Sequence, residues 1–88
     1  MAESSQQRVE YEELLSKVVR IVAGITGVSP KPHDDLSAAG VDSMQMLEVL
    51  TALEDEFGIG LGENLIREFR SIDRIVRIVR DLVAAPAR

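Results

Sequence analysis

Residues 42–57 read DSMQMLEVLTALEDEF and form the clearest helical pattern of the chain. Asp42 and Gln45, three positions apart, make a capping-box pattern. A helix is therefore predicted to begin at Asp42 and to end near Phe57, before the glycine-rich residues 58–62. On a wheel of 100° per residue, three apolar side chains fall within about 40° of Met46, and the four together predict one buried face. They are Met46, Leu50, Leu53 and Phe57, with Val49 beside them.

The opposite face of this helix is acidic, with one apolar residue among the carboxylates. On the same wheel Met44 falls at about 160°, close to Asp55 and Glu48 at about 180° and 200°, while Leu47 and Glu54 flank the face. Two interpretations remain open for this pattern. Met44 is either an isolated surface methionine or part of a docking surface for a basic partner.

Three more helices are predicted around this segment. Apolar residues at steps of three and four predict the first helix: Tyr11, Leu14, Leu15, Val18, Ile21, Val22 and Ile25. A long loop over residues 27–41 follows, then the helix at 42–57, a short helix at 63–69, and a last helix that begins at the N-cap residue Ser71. Because no stretch alternates with period two, we predict an all-α, irregular four-helix bundle with three main helices and one short helix.

Length and composition predict one soluble domain over residues 1–88, with residues 1–8 and 85–88 as disordered tails. The chain has no cysteine, which excludes disulfides and thiolate metal sites. No run of about 18 apolar residues is present, so no membrane association is expected. We expect a monomeric, cytoplasmic protein.

The charge of the chain, −5 overall, is concentrated in its middle. Residues 32–63 hold eight Asp and Glu and neither Lys nor Arg. Such a segment repels nucleic acid and attracts basic protein surfaces, although a solvated acidic face that aids solubility is the simpler interpretation.

Ser43 would be the first residue of its helix if Asp42 is the N-cap. Unsatisfied amide groups and a partial positive charge make that position favourable for a phosphate, although serines are also common there without any function. A hydrolytic triad of Ser43 with His33 is disfavoured because His33 lies in a loop. A cation site at Asp34, Asp35 and Asp42 is disfavoured because no EF-hand spacing exists, so we predict neither catalytic residues nor metal ligands.

Five arginines recur at helical steps near the end of the chain: Arg67, Arg70, Arg74, Arg77 and Arg80. This pattern is compatible with binding of phosphate or membrane. A solvated face that balances Glu68, Asp73 and Asp81 is the favoured interpretation.

Three segments together resemble the acyl carrier protein family: Asp-Asp-Leu at 34–36, Gly-Val-Asp-Ser-Met at 40–44, and Leu-Glu-Asp-Glu-Phe-Gly-Ile at 53–59. In that family an Asp-Ser-Leu motif opens the second helix, and its serine receives 4′-phosphopantetheine from a separate transferase. The resemblance extends from about Tyr11 to Val83. It implies that Ser43 is the attachment site, that Asp42 is the motif's acid, and that the second helix is the recognition element, with Met44, Leu47, Glu48, Glu54 and Asp55 as docking residues.

The resemblance implies a carrier rather than an enzyme. We expect a freestanding carrier, because no long linker precedes Val9 or follows Val83. Such a protein holds acyl or polyketide intermediates as thioesters on the arm and presents them to acyl-loading enzymes, ketosynthases or other enzymes with basic docking surfaces. The sequence departs from the family pattern in three ways. Met44 replaces the usual leucine, which is a mild change because the two side chains have similar volume. Gln45 stands where fatty-acid carriers often have an acid, and glycines occupy residues 58, 60 and 62; these two departures concern the partner set.

Two alternatives stay open. A peptidyl or aminoacyl carrier usually shows a Gly-Gly-X-Ser-type motif, whereas Val41 and Asp42 precede Ser43 here. An unmodified helical interaction module is the alternative from a different class. Eight arginines against two lysines indicate a GC-rich bacterial genome and favour a specialised polyketide or hybrid pathway over housekeeping fatty-acid synthesis.

Overall fold

Three α-helices and one 3₁₀ helix make up the fold. The computed structural model describes the backbone of residues 2–84 and the side chains of residues 10–83. Helix α1 spans Ala2–Thr26, α2 spans Ser43–Phe57 and α3 spans Ile72–Ala84, with the 3₁₀ helix Glu63–Glu68 between α2 and α3. The described residues contain no strand. The predicted all-α fold with three main helices and one short helix is confirmed.

Helix α1 begins earlier than its apolar pattern indicated. The backbone is already helical from Ala2, so residues 2–8 differ from the disordered tail predicted for 1–8. Because this segment contains neither Pro nor Gly and is rich in Glu and Gln, the helix extends through it. The tail predicted at residues 85–88, like residue 1, lies outside the described residues.

Local hydrogen bonds set both ends of α2. The Asp42 carboxylate accepts from the Gln45 amide at 2.8 Å, and the Gln45 side chain accepts from the Asp42 amide at 3.1 Å, which confirms the capping box. At the other end Gly58 takes the left-handed conformation, with φ of 62°, and donates to the Glu54 carbonyl at 2.9 Å. The helix therefore has both predicted ends.

The core lies where the three α-helices meet. Its innermost side chains include Val18 and Val22 of α1, Leu53 of α2, and Val76 and Val79 of α3, all fully buried. Phe57, predicted as a core residue, is only half-buried, because it occupies the last turn of α2 at the edge of the bundle, where Lys17 lies 5.7 Å from its ring centroid. The predicted stripes thus meet in one interior.

The long loop between α1 and α2 is tied to the start of α3. Leu36, its predicted apolar anchor, is fully buried, and its amide donates to the Arg70 carbonyl at 2.9 Å. The Asp73 amide donates to the Pro32 carbonyl at 2.8 Å. These contacts place the segment before Ser43 beside the segment that follows the 3₁₀ helix.

Candidate functional site

Ser43 is the first residue of α2 and is exposed. Its hydroxyl therefore stands at the positive end of the helix, where the first amides have no intrahelical acceptor. In the capping box the side chains of Asp42 and Gln45 each accept a hydrogen bond from the other residue's backbone amide, and these bonds stabilise the start of the helix. The predicted place of Ser43 as the first residue of its helix is confirmed, and its geometry is suited to a phosphate ester on an accessible hydroxyl.

A cleft of about 300 Å³ opens beside Ser43. Its rim is polar, and its floor belongs to the core, since Val41, Met46 and Phe69 are buried. Residues from three parts of the chain line it, namely the long loop, the start of α2 and the 3₁₀ segment: Asp35, Ser37, Val41, Asp42, Ser43, Met46, Ile66, Arg67, Phe69 and Arg70. A group attached to Ser43 would therefore have an open space next to it.

The five predicted docking residues do not share one environment. Met44 is 73 % exposed, Glu48 and Asp55 are exposed, and Leu47 is half-buried. Glu54 instead turns to the glycine-rich loop, where its carboxylate accepts from the Leu61 amide at 2.8 Å. Four of the residues are thus accessible on α2, while Glu54 has a structural contact that its position on the wheel did not reveal.

The two disfavoured sites receive no support from the described residues. His33 pairs with Asp73, with Nδ1 3.9 Å from Oδ2, and among the side chains of residues 10–83 no hydrogen bond joins His33 to Ser43. Asp34 accepts from the Lys31 amide and Asp35 from the Ser37 amide, as loop residues do. Among the residues described, no cluster of His, Asp and Glu is suited to a metal ion.

One polar cluster was not predicted. The Tyr11 hydroxyl of α1 donates to the Asp73 carboxylate of α3, and Arg77 Nε donates to the same carboxylate at 2.9 Å. The hydrogen bond from Tyr11 is the main reason that the pKa of Asp73 lies below its ordinary value, and burial is the main reason that the pKa of Tyr11 is raised. The i,i+4 spacing of Asp73 and Arg77 was a visible signal, but nothing local connects either residue to Tyr11.

Within residues 2–84, no helix has the length and apolar character needed to cross a membrane.

Comparison with known proteins identifies the class to which this fold and cleft belong. A sequence profile described as "Phosphopantetheine attachment site" matches residues 16–79. An acyl carrier protein of Thermosynechococcus vestitus is 30 % identical over 88 % of this chain and 100 % of its own length. One from Rhodococcus erythropolis is 28 % identical over 86 % of this chain and 88 % of its own. The crystal structure of a Thermotoga maritima acyl carrier protein has the same fold, with a TM-score of 0.72 and 22 % identity over 84 % of this chain and 91 % of that one.

The molecule is therefore a phosphopantetheine-dependent carrier domain. The chain belongs to the acyl carrier protein family, as the resemblance of its motifs implied. Its cofactor is a covalently attached 4′-phosphopantetheine, whose terminal thiol holds the acyl group as a thioester. A protein of this family carries acyl groups and does not catalyse their conversion; it works with a phosphopantetheinyl transferase and with biosynthetic enzymes.

Proposed function

We propose that Ser43 is the residue that bears the 4′-phosphopantetheine arm. The observation that carries this proposal is the position of Ser43: an exposed hydroxyl on the first residue of α2, beside an open cleft and inside the Asp-Ser-Met motif. The residues present fit the group, because the hydroxyl is accessible and the adjoining space is open.

Loading of Ser43 would be a phosphoryl transfer from coenzyme A. The serine Oγ forms a bond to the phosphorus that carries pantetheine, and the P–O bond of the diphosphate breaks. Adenosine 3′,5′-bisphosphate leaves with the electron pair, and the hydroxyl proton passes to a base on the transferase. The Asp42 carboxylate accepts from the Gln45 amide and so positions the helix start on which Ser43 stands.

The accessible face of α2 is the proposed docking surface, which we define as Met44, Leu47, Glu48 and Asp55. An exposed apolar side chain beside two exposed carboxylates supports recognition by partners with basic surfaces, such as the transferase, acyl-loading enzymes or a ketosynthase. Glu54 is left out of this surface because its carboxylate holds the Leu61 amide.

The proposed cargo is an acyl or polyketide intermediate. A relative from Mycobacterium leprae, 26 % identical over 84 % of this chain and 68 % of its own length, is named a meromycolate extension acyl carrier protein. That name supports carriage of an acyl chain over an aminoacyl group. A monomeric state and a cytoplasmic location stay predictions.

The test is Ser43→Ala, with Ser29→Ala as the matched control at another exposed serine. After incubation with coenzyme A and a broad-specificity transferase, the intact mass of the wild type and of Ser29→Ala should rise by one phosphopantetheinyl group, and that of Ser43→Ala should not. Since Ser43 is exposed, its replacement should change the free energy of unfolding by no more than about 0.5 kcal/mol.

A mass gain in Ser43→Ala would show that the arm is attached elsewhere. No mass gain in the wild type would contradict the proposal as a whole and favour the unmodified interaction module.

A further inference from the structure

Four of the five arginines that the sequence placed on one solvated face fall into two groups. Arg74 pairs with Glu68 at 3.0 Å and Arg77 pairs with Asp73 at 2.9 Å, as a charge-balancing face would. Arg67 and Arg70 line the cleft beside Ser43 instead. Among the side chains of residues 10–83, neither of these two guanidinium groups lies within 4.0 Å of a carboxylate.

The acids of the cleft are occupied by backbone amides. Asp35 Oδ1 accepts from the amides of Ser37 and Ala38 at 2.9 and 3.3 Å. Asp42 Oδ1 accepts from the Gln45 amide at 2.8 Å. These carboxylates stabilise the loop and the helix start, whereas the two arginines that share the cleft with them are exposed and make no such local contact.

The backbone around Arg70 holds this arrangement in place. The Arg70 carbonyl accepts from the amide of the fully buried Leu36, and the Arg70 amide donates to the Glu68 carbonyl, both at 2.9 Å. The segment that carries both arginines is thereby fastened to the loop that leads to Ser43. Their place in the cleft follows from the fold and does not depend on an ion pair.

We propose that Arg67 and Arg70 bind the phosphodiester of the arm attached to Ser43. This inference rests on the proposed attachment at Ser43. A phosphodiester carries one negative charge and presents oxygen acceptors, and a guanidinium group offers several N–H donors in a planar fork that matches them. The two arginines direct the first part of the arm across the cleft toward the 3₁₀ helix, on the side away from Met44. The docking surface on α2 then stays free for a partner while the arm is held.

The experiment compares the loaded wild type with Arg67→Gln, Arg70→Gln and the control Arg20→Gln. Arg20 is exposed on α1 and lies outside the cleft, so its replacement removes one positive charge elsewhere. All four proteins are incubated with coenzyme A and a transferase, and intact mass reports loading. Nitrogen-15 NMR then follows the arginine Nε–H signals, and phosphorus-31 NMR follows the phosphodiester.

On loading, the Nε–H signals of Arg67 and Arg70 should shift in the wild type, while that of Arg20 should not. The phosphorus resonance should move in Arg67→Gln and Arg70→Gln and stay at the wild-type position in Arg20→Gln. These differences should shrink in concentrated salt, because exposed charges are screened over about 8 Å already at physiological ionic strength and over less at higher salt.

Two results would overturn the inference, and they are distinguishable. In the first result the wild type gains the mass, its Arg67 and Arg70 signals do not change, and all variants share one phosphorus resonance. The phosphodiester site is then wrong, while attachment at Ser43 stands. In the second result the wild type gains no mass, and both the phosphodiester site and the attachment at Ser43 are wrong. The wild-type arginine signals need no substitution, so this readout is independent of how any variant folds.

Discussion

Single side chains at the ends and junctions of the helices stabilise the site. Asp42 and Gln45 close the start of α2 on which Ser43 stands, and Glu54 reaches from the last part of α2 to the Leu61 amide. Asp73 joins two helices, because it accepts from Tyr11 of α1 while it belongs to α3. Its side chain is 13 % exposed and Tyr11 is half-buried, so this contact is partly shielded from water.

The Tyr11–Asp73 contact leads to a prediction about stability and pH. Tyr11→Phe removes the donor and should lower the free energy of unfolding at pH 7 by about 1.5 kcal/mol, near the lower end for hydrogen bonds to charged groups, since Arg77 still contacts the carboxylate. The hydrogen bond depresses the pKa of Asp73 in the folded protein below its ordinary 3.8. The hydrogen bond therefore contributes fully to the free energy of unfolding above pH 3.8. This contribution is lost as the pH falls through the pKa that Asp73 has in the folded protein.

Urea unfolding at pH 7 and at about pH 3 measures this difference. The difference in free energy of unfolding between the wild type and Tyr11→Phe should be smaller in acid than at pH 7. It should also be smaller when both proteins carry Asp73→Asn, which completes a double-mutant cycle. Arg77 and His33 also face Asp73, and both are unchanged in all four proteins. If this difference in free energy is the same at both pH values, and the same with and without Asp73→Asn, Tyr11 acts by packing alone.

At the scale of the elements, α2 has a buried face and an exposed face, and the exposed face is the proposed docking surface. Met46, Val49, Leu50 and Leu53 are buried against the other helices, while Met44, Glu48 and Asp55 face solvent. The buried face fixes the orientation of the helix and so determines which side chains remain accessible. Recognition by a partner can therefore vary through the exposed face without disturbing the core.

Reversal of charge on this face should weaken partner binding. Glu48→Lys with Asp55→Lys should raise the KM of a transferase for this protein about tenfold, equivalent to about 1.4 kcal/mol for two exposed charge contacts. The control is Glu12→Lys with Glu13→Lys, which makes the same change of net charge at two exposed positions on α1.

The effect of the α2 reversal should diminish with added salt, and the control pair should change KM little. Thermal unfolding of both double variants checks that the fold is retained. If both double variants raise KM equally, KM depends on the net charge of the protein rather than on the docking surface.

At the scale of the whole molecule, the small size of the bundle bears on whether it can shelter an attached cargo. A domain of this length buries a modest fraction of its surface and is marginally stable, so its helices separate at limited cost. The cleft at Ser43 has Val41, Met46 and Phe69 of the core at its floor. An apolar chain that folds back from the arm would therefore meet the hydrophobic interior there first.

A medium-length saturated acyl group should raise the Tm of the loaded protein above that of the unacylated holo form. Burial contributes at most about 0.8 kcal/mol per methylene, and a net gain of about 1 kcal/mol corresponds to roughly 4–8 °C in a domain of this size. A short polar group of the same linkage is the control and should leave Tm unchanged. Equal Tm values for both cargoes would show that the acyl chain stays in solvent.

Much of this architecture could be predicted from the sequence because it depends on local rules. The apolar periodicity of α2 and the Asp42–Gln45 spacing correctly placed its buried face and its first turn, since side-chain direction and capping depend on residues within one or two helical turns. The same rules placed Ser43 at an exposed helix start. The motif around it pointed to the family that the comparisons show.

The tertiary structure decided which distant residues meet. Burial of Leu36 and its hydrogen bond to Arg70 bring the long loop against the 3₁₀ segment, so that Arg67 and Arg70 lie beside Ser43 rather than on the charge-balancing face of Arg74 and Arg77. The pairing of Tyr11 with Asp73 has the same origin. The path of a loop depends on the free energy of the whole core and on backbone hydrogen bonds between segments far apart in the chain, and neither leaves a periodic signal in the sequence.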